Sequence, residues 1–166
     1  MAKRIGFPTE KSLAFQIRRA HLAFGRLLTM RLNRHKIKAG FWPYLRALWI
    51  REGLTQKQLS QITNVTEGTT VTLLSAMTDN GLISRDRDTV DRRQVFVRLT
   101  AKGRALEEAL LPYGVELNKI AVRGIAKGDV AVCASVLRQM AENLEAEFKT
   151  GESGKGAGGS PGIRFF

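Results

Sequence analysis

LTQKQLSQITNVTEGTTVTLLSAMTDNGLISRDRDTVDRRQVFVRLTAKGRAL, residues 54–106, is the stretch whose reading decides the fold. Thr55-Gln56-Lys57-Gln58 has the form of a capping box, in which a threonine hydroxyl bonds the third amide and a glutamine reaches back. It opens a short helix to about Ile62. Thr63-Asn64-Val65 makes a turn, and Thr66 caps a second helix from Glu67 to about Asn80. Asn80-Gly81-Leu82 closes that helix, with Gly81 suited to the left-handed conformation and Leu82 to packing back. Two strands follow, roughly Ile83–Arg87 and Gln94–Leu99. Val95, Val97 and Leu99 alternate with Phe96 and Arg98. Their connecting tip is Asp88-Thr89-Val90-Asp91-Arg92-Arg93. Thr100 caps the next helix, Ala101 to about Val122. Two capped helices followed by a basic hairpin are the parts of a winged helix-turn-helix: one helix for the DNA major groove and a wing beside it.

Outward from this stretch the pattern is helical. Leu13, Ile17, Ala20, Phe24, Leu27 and Leu28 recur at three- and four-residue steps between Glu10 and about His35. Thr9, after Pro8, is the expected cap, and Gly25 is a weak point. Such a helix is on the order of 40 Å long, which suits an element shared between a dimer interface and a DNA-binding body. Gly40 breaks the pattern. A helix from about Pro43 to Glu52 puts Leu45, Leu48 and Trp49 on one face, and Gly53 ends it. A last amphipathic helix runs from about Lys127 to Phe148. The tail from Thr150 to Gly162 has six glycines and is expected to be disordered.

The expected architecture is therefore mainly α with a small two- to three-stranded β wing, a winged helix-turn-helix with N- and C-terminal dimerisation helices. Residues 1–9 form an arm and residues 10–149 the regulator. Its DNA-binding core is about 43–100, and its dimerisation helices are about 10–36 and 101–149. Residues 150–166 form the tail.

Charge points to an anionic partner. The 166 residues carry a formal net charge of +12. Residues 1–54 hold 12 basic and 2 acidic side chains, and ten basic residues with no acid lie between Lys11 and Arg51. The basic surface thus extends beyond the proposed reading head. Cys133 is the single cysteine, which excludes an intrachain disulfide and a cysteine-rich zinc site. It sits among Val132, Ala134 and Val136 and is expected to be a buried, inert thiol. No run of about 18 apolar residues exists, and the N-terminus has no apolar signal core; a cytoplasmic location, away from membranes, is the expectation. Enzymatic chemistry has no foothold. His21 and His35 stand ~21 Å apart on one helix, and no nucleophile motif, phosphate-binding glycine loop or metal-ligand spacing occurs. No cofactor, catalytic residue or metal ligand is expected.

The DNA-reading candidates follow from position. Thr66, Glu67, Gly68, Thr69, Thr70 and Thr72 begin the second helix, where base edges are met; Val71, Leu74 and Met77 are expected to face the core. Threonine hydroxyls and methyls suit base edges and the thymine methyl, and Gly68 lets the backbone come close. Gln56 stands at the start of the first short helix. Arg85, Arg87, Arg92 and Arg93 cluster at the wing with Asp91 among them. Arg92 and Arg98 are phosphate candidates, as are backbone amides at the two helix starts.

Asp88-x-x-Asp91-Arg92-Arg93, followed by a strand and Leu99-Thr100-x-Lys102-Gly103, resembles the MarR family of bacterial transcription regulators. The resemblance covers about residues 10–148 and is strongest over 54–106. It implies that Asp91 braces a loop arginine while Arg93 enters the minor groove. Many members carry an arginine after the position of Thr72; here it is Leu73, and this helix has no Arg or Lys. The resemblance further implies a homodimer on a pseudopalindromic double-stranded DNA operator, with half-site centres ~34–36 Å apart. It implies repression, relieved by a small molecule between the dimerisation helices and the reading domain. His21, Phe24, Phe41, Trp42, Arg46 and Trp49 are the expected pocket, suited to an aromatic carboxylate or an acyl-coenzyme A. The alternative is a non-specific architectural DNA-binding protein, separated from a regulator by specificity at moderate salt.

Overall fold

The computed structural model describes residues 11–87 and 94–153. Its helices are α1 Leu13–Asn33, α2 Trp42–Ile50, α3 Gln56–Thr63, α4 Glu67–Asp79, α5 Ala101–Ala121 and α6 Lys127–Ser153. Its strands are β1 Leu54–Thr55, β2 Ile83–Arg87 and β3 Val95–Leu99, and one 3-10 turn spans Ala39–Phe41. By its contacts the chain forms two units, Met1–Ala121 and Val122–Phe166.

Local chemistry sets most boundaries. In α3 the capping box is complete: Gln58 N–H donates to Thr55 Oγ1 at 3.2 Å, and Thr55 N–H donates to Gln58 Oε1 at 2.9 Å. Asn64, at φ 53, ends α3 in the left-handed conformation that asparagine tolerates. Gly81, at φ 67, ends α4, with Leu82 N–H returning to Met77 O at 3.0 Å. Gly103 N–H donates to Thr100 Oγ1 at 3.1 Å at the start of α5.

Three expectations change. Ser12, not Thr9, caps α1, its hydroxyl accepting from Phe15 N–H at 3.3 Å; Thr9 lies outside the described residues. α6 continues to Ser153, so residues 150–153 belong to a helix, where Thr150 Oγ1 donates to Ala146 O at 2.6 Å. Cys133 is exposed, as are the apolar residues Val132, Val136 and Leu137 around it on α6. α5 is the single helix expected from Ala101 to about Val122, and it runs through Pro112, which removes only one helical N–H from its 21 residues.

The sheet order is β1-β3-β2, all antiparallel. The third strand, β1, was not legible as a strand: two residues have no period. Leu54 pairs with Val97 and Thr55 with Phe96, so Thr55 ends a strand and caps a helix at once. The wing register sets Ile83 opposite Leu99 and Arg85 opposite Val97, while Ser84 and Asp86 share the other face with Arg98.

One core joins these elements. Leu45 and Leu48 of α2, Leu59 of α3, Leu74 and Met77 of α4, Leu82, Ile83, Val97 and Leu110 are all nearly or fully buried. Leu32 and Ile37 close it at the end of α1. At about 25 cal/mol per Å² of apolar surface, each fully buried leucine contributes on the order of 2 kcal/mol. By contrast Leu13, Phe15, Ile17, Phe24 and Met30 of α1 are exposed, as are Val132, Val136, Leu137, Leu144 and Phe148 of α6.

Candidate nucleic-acid interface

α3 and α4, joined by the Asn64 turn, pack on each other and on the sheet and form the helix-turn-helix pair, the candidate reading head. Behind α4 the anchor is polar. Thr70 and Tyr44 are both fully buried, and their hydroxyls lie 3.0 Å apart. Thr70, expected to meet DNA, is therefore withdrawn from that surface. Val71, expected in the core, is 45% exposed. The reason is helical phase: at 3.6 residues per turn, positions 70 and 77 lie about 20° apart, whereas 71 and 77 lie about 120° apart. The inward stripe is Thr70, Leu74 and Met77. A buried threonine breaks the apolar pattern, which hid the phase; Tyr44 satisfies its hydroxyl.

The remaining candidates on α4 are where DNA can reach them. Thr66, Glu67, Gly68, Thr69 and Thr72 are exposed. Thr66 Oγ1 accepts from Thr69 N–H at 3.4 Å and donates to Thr69 Oγ1 at 3.0 Å, which leaves the Thr69 proton for an outside acceptor. Thr72 Oγ1 donates to Gly68 O at 3.1 Å, so its oxygen stays an acceptor. A Cβ at Gly68 would meet nothing within 4 Å, so the chain itself does not require glycine there. Val71 joins this exposed face as an apolar side chain.

On the wing, Arg85 is half-buried on the Ile83 face and Arg87 is exposed one step further out. Arg98 is exposed, 3.9 Å from Asp86 on the opposite face. Gln56, half-buried, is the first residue of α3 and takes no part in the capping box. Asp91, Arg92 and Arg93 lie outside the described residues.

The six residues expected to line a ligand pocket fall into two groups, Phe41, Trp42, Arg46 and Trp49 in and beside α2, and His21 and Phe24 on α1. Phe41 and Trp42 are core residues, 1% and 8% exposed. Trp42 stacks edge-on to Trp49 at 6.0 Å, and the Arg46 guanidinium lies 6.0 Å from the Trp42 ring centre. Trp49 is tied down by its Nε1–H, which donates to Gly103 O at 3.0 Å. His21 and Phe24 are exposed on α1, two turns or more before its packed end at Leu32. An open cavity of about 810 Å³ lies instead along α5, lined by residues that include Arg104, Glu108, Leu111, Val115 and Lys119.

Sequence reasoning missed the polar seam between α1 and α5. Arg31 donates twice to Glu116, at 2.6 and 3.3 Å, and His35 Nε2 lies 3.0 Å from the Tyr113 hydroxyl. The hydrogen bond from Arg31 holds the Glu116 carboxyl below the usual carboxylate range; desolvation opposes this, and the charges of Arg31 and Arg34 add to it. No local pattern links residues 85 positions apart. Among the described residues no group of three or more His, Cys, Asp and Glu could hold a metal ion, and no helix is long and apolar enough to cross a membrane.

A capped helix pair with an exposed threonine-rich start, beside a three-stranded basic hairpin, defines a winged helix-turn-helix protein. Residues 40–95 match the model of the MarR family. Over 108 residues the chain is 34% identical to the HTH-type transcriptional regulator TtmR of Methylorubrum extorquens, which covers 64% of this chain and 55% of that relative, little more than half its length. The fold is shared with BpsR of Bordetella bronchiseptica, whose DNA binding is regulated by 6-hydroxynicotinic acid: TM-score 0.75, 21% identity, 82% of this chain and 97% of that one. It is shared also with a mutant of Escherichia coli MarR complexed with operator DNA: TM-score 0.72, 23% identity, 77% of this chain and 92% of that one. The match to the MarR family model is confined to residues 40–95, and the solved structures show that the fold over most of the chain is the winged helix-turn-helix.

Proposed function

We propose that this protein is a sequence-specific DNA-binding transcriptional repressor in the cytoplasm, acting as a homodimer on a pseudopalindromic operator and released by a small anionic ligand. The observation that carries the reading is the exposed start of α4, held from behind by the buried Tyr44–Thr70 pair. Thr66, Gly68, Thr69, Val71 and Thr72 read the major groove through hydroxyls, methyls and close backbone approach. With no Arg or Lys on α4, guanine is not read bidentately there, and groove shape carries more of the specificity. Gln56, Arg85, Arg87, Arg92 and Arg98 serve phosphates. Arg93 enters a narrow minor groove, where arginine is favoured over lysine, while Asp91 braces a loop arginine.

Homodimer formation is supported by the apolar side chains that α1 and α6 leave exposed: Leu13, Ile17, Phe24, Val136, Leu144 and Phe148. Large apolar side chains repeated on one face call for a cover. Ligand release is supported by the regulation of BpsR by an aromatic acid. A tenfold loss of DNA affinity needs only about 1.4 kcal/mol of preference for the non-binding conformation.

The test is selection of bound duplexes from a random pool at about 150 mM salt, where the Debye length is ~8 Å. A pseudopalindrome with half-sites about one turn apart is the expected product. Binding without any motif would favour the architectural alternative. On the selected operator, Arg93→Ala weakens binding at A·T-rich flanks; unchanged affinity would remove the wing from the mechanism.

A further inference from the structure

The turn between α1 and α2 carries two lysines that the reading head does not use. Chain reversal there follows a helix-ending pattern: Lys36 N–H bonds Asn33 O at 3.0 Å, and Ile37 N–H bonds Leu32 O at 3.2 Å. The pattern requires a left-handed residue, and Lys36 supplies it at φ 57. Among the described residues the other non-glycine at positive φ is Asn64, a residue type at home there. Lysine is not, so the backbone holds an unfavourable residue where glycine would fit. Ile37, 5% exposed, pins the turn into the core and leaves Lys36 and Lys38 on either side of it exposed. The Lys38 ammonium stays 5.9 Å from the Phe41 ring centre. Neither lysine has an ion-pair partner among the described residues, and no acid occurs between Lys11 and Arg51.

This basic turn sits beside the recognition helix. The 3-10 turn that follows it touches α4, and a Cβ on Gly40 would lie 3.4 Å from Leu73 Cδ2. Leu73 is half-buried, next to exposed Thr72. A helix with its side chains is 10–12 Å across and the major groove is ≈ 12 Å wide. A helix in the groove therefore fills it, and a turn against the helix flank lies at the groove edge, over the phosphates.

We infer that Lys36 and Lys38 form a phosphate clamp at the edge of the major groove, supplying the positive charge that α4 itself lacks. The clamp rests on the DNA-binding function proposed above. It neutralises backbone charge without reading bases, so it acts equally on every sequence.

The experiment uses the full chain with Lys36→Gly and, separately, Lys38→Gln. Binding to random-sequence duplex DNA and to the selected operator is measured across a salt series, alongside thermal unfolding. Lys36→Gly relieves the backbone and removes the charge together, so the melting temperature rises while DNA affinity falls several-fold on both duplexes. Each variant lowers the slope of log affinity against log salt by ~0.9 per half-site. An unchanged slope in both variants, with wild type binding normally, overturns the clamp alone. A loss confined to the operator also overturns it, since that marks a base contact. Wild-type protein that binds neither duplex overturns the regulator and the clamp together.

Discussion

Gly103→Ala tests how the reading head is joined to α5. A Cβ at this position would lie 2.1 Å from the Leu82 carbonyl oxygen, 3.1 Å from Leu99 Cδ2 and 3.2 Å from the Leu82 carbonyl carbon. Real Cβ contacts essentially never fall below 3.0 Å, so the start of α5 must retreat by about 0.9 Å, the difference from 2.1 Å. Nothing nearby yields easily. Leu82 O already accepts Thr100 N–H at 3.0 Å and Thr100 Oγ1 at 3.1 Å, and Gly103 O holds the Trp49 indole at 3.0 Å. Overpacking costs about 1–3 kcal/mol, and each strained hydrogen bond adds about 1. The better helix propensity of alanine returns about 1 kcal/mol. The net loss is roughly 2–4 kcal/mol, a melting-temperature fall of roughly 5–15 °C for a chain this long. Urea and thermal unfolding of Gly103→Ala beside Gly68→Ala measure it. Gly68 is also helical but has open space around its Cβ position, so that variant gains up to ~1 kcal/mol. If Gly103→Ala were as stable as wild type, the close approach of α5 to Leu82 would be wrong.

Gly68→Ala also separates stability from function: it is expected to unfold at a higher temperature yet bind the selected operator more weakly, and equal affinity would place α4 further from DNA than proposed. Tyr44→Phe and Thr70→Val are each expected to destabilise by about 1–2 kcal/mol, because each strands a buried hydroxyl or removes its bond. The double variant should lose less than the two singles together, and strictly additive losses in a double-mutant cycle would show no coupling. The lowered Glu116 carboxyl contributes stability that is fully present above the unfolded carboxylate range, ordinarily ≈ 4.3, and is lost as pH falls through the folded value. Glu116→Gln should therefore flatten the acid limb of the stability profile, and an unchanged limb would assign that limb to other groups.

Local chemistry in the chain was sufficient for the elements of the reading head. Thr55, Thr66, Thr100, Asn64 and Gly81 act on backbone groups within a few residues, so caps and helix ends follow from order alone. The period of two in β3 marked the wing for the same reason. Tertiary structure decided what depends on partners far along the chain. Thr70 turns inward because Tyr44, 26 residues earlier, offers a hydroxyl, and that choice moves Val71 outward. β1 exists because Leu54 and Thr55 find Val97 and Phe96. Phe41 and Trp42 are core residues because α4 and α5 come to meet them: Gly40 abuts Leu73, and a Cβ at Gly114 would lie 3.1 Å from Trp42. A helix's phase, a two-residue strand and a buried aromatic each depend on a neighbour that sequence distance conceals, whereas a cap carries its partner with it.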